Sequence, residues 1–232
     1  MQKRKLYWLC GLTIAFIAVA LATLCALVKH EPSFYTQAHM PPGEERKALA
    51  NKFLTEFGQM VMDMKSEQWR CELSEAELNS FFDDQFMKLG EGESLRKVGI
   101  SDPRINLGDD SVRLAFRYGS GWFSTVISYD LKVWLVPKEP NVIAVEVVSA
   151  RAGGLPISSR TILQQLSDYA QTQNYKVTLY RKETNAVAVI ELQQGQQPSS
   201  KMLTRLDVKS GKLAIHGRTM EHALALPMIK AP

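Results

Sequence analysis

Few side chains in this sequence are suited to chemistry, and they are scattered. His30 and His39 lie near its beginning and His216 and His222 near its end, and a tetrahedral zinc site needs further ligands that neither pair supplies. Asp83 and Asp84 are carboxylates of the kind used for acid and base work. Adjacent helical residues point about 100° apart, so this pair reads as a solvated face. Gly119-Ser120-Gly121 lacks the glycine spacing of a hydrolase nucleophile elbow and reads as a hairpin turn. Cys71 is the only cysteine beyond the first apolar stretch, which holds Cys10 and Cys25. No disulfide can therefore close within the rest of the chain, and Cys71 reads as a small buried hydrophobe. Phosphate loops, dinucleotide fingerprints and H-E-x-x-H motifs are missing from the sequence. It thus offers no catalytic residue, no metal ligand and no cofactor site.

Aromatic side chains are the remaining candidates. Phe53, Phe57, Phe81, Phe82, Phe86, Phe116, Phe123 and Tyr129 are available to line an apolar cavity that holds a lipid or another nonpolar ligand. The same residues would equally fill an ordinary core. Two helices and a set of strands must position them. From Glu44 to Glu67, Leu49, Phe53, Phe57, Met60 and Met64 recur at helical spacing, while Glu45, Lys52, Glu56, Asp63 and Lys65 mark the wet face. Trp69 to Leu73 alternates like a short strand. Ser74-Glu75-Ala76-Glu77 then has the form of a capping box, opening a helix whose apolar positions are Leu78, Phe81, Phe82, Phe86 and Leu89 and which Gly90 to Gly92 ends.

Beyond Pro103 the apolar period changes to two. Arg104–Leu107 and Val112–Tyr118 flank a Gly108-Asp109-Asp110 turn, a longer strand runs from Phe123 to Leu135, and Val142 to Ala152 returns. Strands of eleven or more residues exceed the usual length of about five or six and suit a strongly curved sheet. Gly153-Gly154-Leu155-Pro156 breaks the pattern. A helix follows from Ser158 or Ser159 to Thr172, with Ile162, Leu163, Leu166 and Tyr169 or Ala170 inward. Two hairpins come next, Tyr175–Arg181 with Ala186–Leu192 and Met202–Val208 with Lys212–Gly217, separated by a Gln-rich loop from Gln193 to Ser200. The fold class is α+β, a mainly antiparallel sheet packed on amphipathic helices.

All of this stands behind one stretch. Leu6 to Val28 is uncharged over twenty-three residues, and at about 1.5 Å per residue it spans a hydrocarbon core of about 30 Å. Lys3, Arg4 and Lys5 precede it, which keeps the N-terminus cytoplasmic and the following domain extracytoplasmic, periplasmic or extracellular. Ala20-Leu21-Ala22 also has the form of a signal-peptide cleavage site, but the apolar run continues past it to Val28. Leu24 before Cys25 argues against a lipoprotein signal. The division is an anchor over 1–28, a Pro-rich linker over 29–43, a domain over 44–218 and a tail over 219–232. The formal net charge is +4, of which the three residues before the span supply most. The domain is nearly neutral and gives little electrostatic reason to bind nucleic acid.

The order of anchor, amphipathic helix, strand leading into ELSEAELNSFF, long hairpins and ARAGGLPIS opening a helix resembles the YpmS-like family of membrane-anchored bacterial proteins of unknown function. Glu75 to Asn79 is also similar to a segment of small tubular lipid-binding domains. That resemblance covers about Trp69 to Thr172 and implies a TULIP-like helix wrapped by a bent sheet with an apolar tunnel. It transfers no catalytic residue. Two functions follow as expectations: holding a lipid or other apolar ligand near the membrane, or serving as a non-catalytic interaction or scaffold subunit of a cell-envelope complex. Trp122 and Trp134 share a parity opposite the main apolar face, and the sequence leaves open whether they meet a second layer, a bilayer or water.

Overall fold

The apolar N-terminal run forms one helix, α1 (Gln2–Lys29), in a computed structural model that describes residues 2–88, 90–172, 175–182, 185–192 and 201–220. Gly11–Lys29 is long and apolar enough to cross a membrane, and none of it is buried within the protein, which fits a membrane anchor or a signal. Its last turn is tied to the domain. The Leu27 carbonyl accepts from the Gly154 N–H at 2.7 Å, and the Val28 carbonyl accepts from the Thr125 hydroxyl. These bonds satisfy carbonyls that a helix end otherwise leaves open.

The stretch read as a linker is packed against the domain. Its short helix α2 (Ser33–Gln37) buries Phe34 and Tyr35 on Ala115 and Val126. Arg113 lies over the Phe34 ring and Arg117 over Tyr35, while Arg117 also meets Glu31 at 2.6 Å. The side of residues 111–118 that carries Arg113, Ala115 and Arg117 is therefore covered here. Burial, with a lesser push from Asp102, raises the Tyr35 phenol to about 12.

The first amphipathic helix, α3 (Glu44–Asp63), leads into β1 (Gln68–Ser74) and α4 (Glu75–Asp84). Both halves of the capping box are made: Ser74 accepts from the Glu77 N–H at 3.2 Å, and Glu77 accepts from the Ser74 N–H at 2.9 Å. Gly90–Gly92 does not end this region. A 3₁₀ turn (Phe86–Lys88) follows α4, and a second helix, α5 (Gly90–Lys97), begins at Gly90. Leu89 lies outside the described residues.

Five long or medium strands continue the chain: β2 (Ile100–Gly108), β3 (Ser111–Tyr118), β4 (Thr125–Leu135), β5 (Val142–Ala152) and, after the two-residue β6 (Leu155–Pro156) and helix α6 (Ser159–Thr172), β7 (Lys176–Lys182). They join β8 (Asn185–Glu191) in one antiparallel sheet ordered β2-β3-β4-β5-β8-β7, with β6 on β5. A second sheet sets β1 beside the closing hairpin β9 (Lys201–Lys209) and β10 (Lys212–Thr219), in the order β1-β10-β9. The single strongly curved sheet expected from strand length is thus two sheets, neither strongly curled. A bulge between Asp130 and Leu131 accommodates the long β4–β5 pair, shifting which residues face each side. Gln193 to Ser200 and residues 221–232 lie outside the described residues.

Three cores hold these layers. Phe53, Met60, Trp69, Cys71, Leu73, Leu78, Leu107 and Val208 join α3 and α4 to the β1 sheet and the β2 end of the larger one. Phe34 and Tyr35 make the second against β3 and β4. Leu163 of α6 presses on Val147, Ala150 and Ala188 in the third. Ile162, Leu166 and Tyr169, also expected inward, have side chains outside the described residues.

Candidate apolar contact site

The structure gathers five of the eight candidate aromatics and leaves three elsewhere. Phe53 from α3 and Phe81 from α4 stack at 4.2 Å between ring centroids. Phe57 stacks on Phe53 at 5.8 Å, and Phe82 and Phe86 extend the group at 5.7–6.2 Å. Helical spacing puts Phe53 and Phe57 on one face of α3, and the capping box fixes where α4 starts, so both sets of rings meet between the two helices. They form a ledge that opens outward. Phe53 is buried, Phe82 and Phe86 are half-buried, and Phe57 is 43% exposed.

Leu54 and Val61 lengthen this ledge. They lie one residue beyond Phe53 and Met60, on the flank of α3 away from Lys52, Glu56 and Asp63, and are 43% and 48% exposed. With Phe57 they make a stripe at i, i+3 and i+7 that no other described element covers. The signal was present in the sequence as apolar residues out of step with the core stripe.

Phe116 and Tyr129 pair on β3 and β4 at 5.9 Å, away from the ledge. Tyr129 packs against the third core, and burial pushes its phenol up to about 12. Phe123 is not on a strand. It sits in a 3₁₀ turn (Gly121–Phe123) ahead of β4 and is 90% exposed, so it lines no interior. Clefts of about 670 Å³ over Trp69 and about 610 Å³ beside α6 are open, and neither is lined by any of the eight aromatics.

The polar candidates resolve into scaffolding. Asp83 and Asp84 are not solvated: Arg104 holds Asp83 at 2.6 Å with both side chains nearly buried, while Arg46 and Lys88 approach Asp84 at 3.7 and 3.6 Å. Arg46 reaches Asp83 as well, at 3.9 Å, so one guanidinium spans both carboxylates while Arg104 and Lys88 each hold one of them. Arg104 also donates to the Pro103 carbonyl and meets His39 at 3.2 Å, which locks α4, β2 and the segment before α3 together. A buried pair of this kind adds little net stability, but losing one partner strands a charge, at a cost of about 3–5 kcal/mol. Asn79, fully buried, exchanges two hydrogen bonds with the Ile105 backbone, at 2.8 and 2.9 Å.

Cys71 is buried on β1, and burial, then the carboxylates of Glu56 and Glu77, push its thiol up to about 11. It is held in the unreactive form. Gly119 to Gly121 is a turn, with φ of 91° and 55° at its two glycines. His216 lies on β10, and His222 is outside the described residues. Among the described residues no three His, Cys, Asp or Glu side chains converge as a metal-binding group.

Comparison of the chain with protein-family models, with curated proteins and with solved structures gives no match.

Proposed function

We propose that this is a single-pass membrane-anchored protein with an extracytoplasmic domain that works as a non-catalytic interaction module of the cell envelope. The carrying observation is the uncovered Leu54–Phe57–Val61 stripe of α3 standing on a filled core. A stripe at this spacing fits the apolar face of a partner's amphipathic helix, seated ridge against groove. Small-ligand sites usually bury most of their occupant, and an open ledge suits a protein face better.

Lipid holding is the second reading, favoured by the continuity of the Phe53, Phe57, Phe81, Phe82 and Phe86 rings, along which an acyl chain can lie. Native mass spectrometry of the full chain taken from its own membranes in mild detergent separates the two. The expected result is a stoichiometric protein partner that the Leu54→Glu, Val61→Glu double variant loses while its unfolding midpoint stays unchanged. A lipid adduct lost in the same variant would move the assignment to the second reading. A wild-type chain with neither companion overturns both.

A further inference from the structure

The turn between β3 and β4 is built to project apolar side chains, and it does so beside the end of α1. Trp122 and Phe123 are 80% and 90% exposed. Their backbone is fixed from both sides: the Phe123 N–H donates to the Ser120 carbonyl at 3.2 Å, and the Ser124 N–H and hydroxyl both donate to the Gly121 carbonyl, at 3.3 and 2.9 Å. Gly119 permits this shape, because a Cβ there would come within 2.8 Å of the Phe123 carbonyl oxygen at a left-handed φ. Two large apolar side chains are therefore held outward by a stiff turn, at a cost in solvation.

The neighbouring residue is Lys29, the last of α1. Its ammonium donates to the carbonyls of Trp122 and Ser124 and lies 5.3 Å from the centroid of the Trp122 ring. The uncharged run ends at Val28, so the turn stands level with the edge of the hydrocarbon where the helix leaves it. Tryptophan, lysine and phenylalanine at that depth match the residue preferences of the bilayer interface. A third exposed apolar side chain, Val98, belongs to the adjoining turn, joined through the Gly119 N–H to the Gly99 carbonyl at 2.8 Å, and Arg96 and Lys97 precede it. Cations there suit anionic headgroups.

We infer that the Trp122–Phe123 turn is a second membrane contact, seated in the headgroup region of the leaflet from which α1 emerges, so that the domain rests on the bilayer in one orientation. This rests on the reading of α1 as a membrane span, and the test keeps the two apart. The full chain, with Cys10→Ala and Cys25→Ala and the buried Cys71 retained, carries one nitroxide through Phe123→Cys, Leu21→Cys or Lys209→Cys. Each is reconstituted in phosphatidylethanolamine–phosphatidylglycerol vesicles, and collision with oxygen and with a water-soluble nickel chelate is measured. The position-123 label is expected to show an oxygen-to-nickel ratio several-fold above that at position 209 and below that at position 21. A water-like ratio at 123 with a hydrocarbon-like ratio at 21 overturns the second contact and leaves the anchor. Water-like ratios at both positions overturn the anchor reading and this inference with it.

Discussion

Glu77 is nearly buried, and two neighbours, Lys52 and Ser74, decide its charge. Burial alone would raise its pKa, but the hydrogen bond from Lys52, those from Ser74 and the Lys52 charge outweigh it and hold the carboxyl below its ordinary value. A glutamate whose folded-state pKa is depressed stabilises the fold above its unfolded value, about 4.3. That stabilisation is lost as pH falls through the lower folded value. Urea midpoints measured from pH 7 down to pH 3 should therefore fall below about pH 4.3 in the wild type. Glu77→Gln keeps the capping-box acceptor but loses the Lys52 ion pair, so it should already be destabilised at pH 7, by no more than about 1 kcal/mol, and should fall less steeply with acid. Equal acid slopes in the two proteins would remove Glu77 from the account. The buried Asp83–Arg104 pair illustrates the opposite relation between sequence and role, because nothing adjacent to Asp83 announces an arginine twenty-one residues later on β2.

At the scale of elements, the joint between α1 and the larger sheet hinges on Gly153. Its φ of 61° is left-handed, and a Cβ there would lie 2.4 Å from the carbonyl oxygens of both Leu27 and Val28. Left-handed backbone alone costs an alanine about 1–2 kcal/mol, and about 1.4 kcal/mol is a tenfold shift in an equilibrium. Gly153→Ala should therefore free the last turn of α1 and raise tryptic cutting after Lys29 by about tenfold or more, since cleavage follows the open population. An unchanged rate would mean that the joint does not hold Lys29. The local elements were readable from the sequence for a reason visible here. The capping box, α6 and the β4–β5 return are set by residues a few positions apart, and each starts or ends within a few residues of where its pattern does. Elements made by packing were not readable. Helix α2 has five residues after a proline and no periodicity, and it exists because Phe34 and Tyr35 find Ala115 and Val126. Helix α5, GEGESLRK, has one apolar residue and two glycines. Alternation through Phe123 predicts a strand there, but it begins inside a turn that runs on to Ser124, so Phe123 stands ahead of β4.

Across the whole molecule the least local feature is the pairing of β1 with β10, in which Cys71 sits opposite Ile215 and Leu73 opposite Leu213. No short-range pattern encodes such a match, which is why one sheet was expected where two exist. It also makes the first core depend on the end of the described chain: Trp69, Cys71 and Leu73 point inward from a strand whose neighbour arrives last. The Trp69 ring lies so close over Gly217 that a Cβ there would come within 1.9 Å of it. The third core has no such dependence, because α6, β5 and β8 are complete before Lys201. A chain shortened to end at Ser200, again with Cys10→Ala and Cys25→Ala, should therefore lose the first core and keep the third. Cys71 reports the loss. Its thiol, held up at about 11 in the native fold, would return toward the ordinary value near 8.5, and its labelling rate at pH 8 should rise by more than about a hundredfold on the thiolate fraction alone. Hydrogen exchange in β4 and β5 should remain slow. If Cys71 stays unreactive, β1 holds its place through α3 and α4 without β10. If β5 exchanges as fast as β1, the two sheets fold as one cooperative unit and the division into separable cores fails.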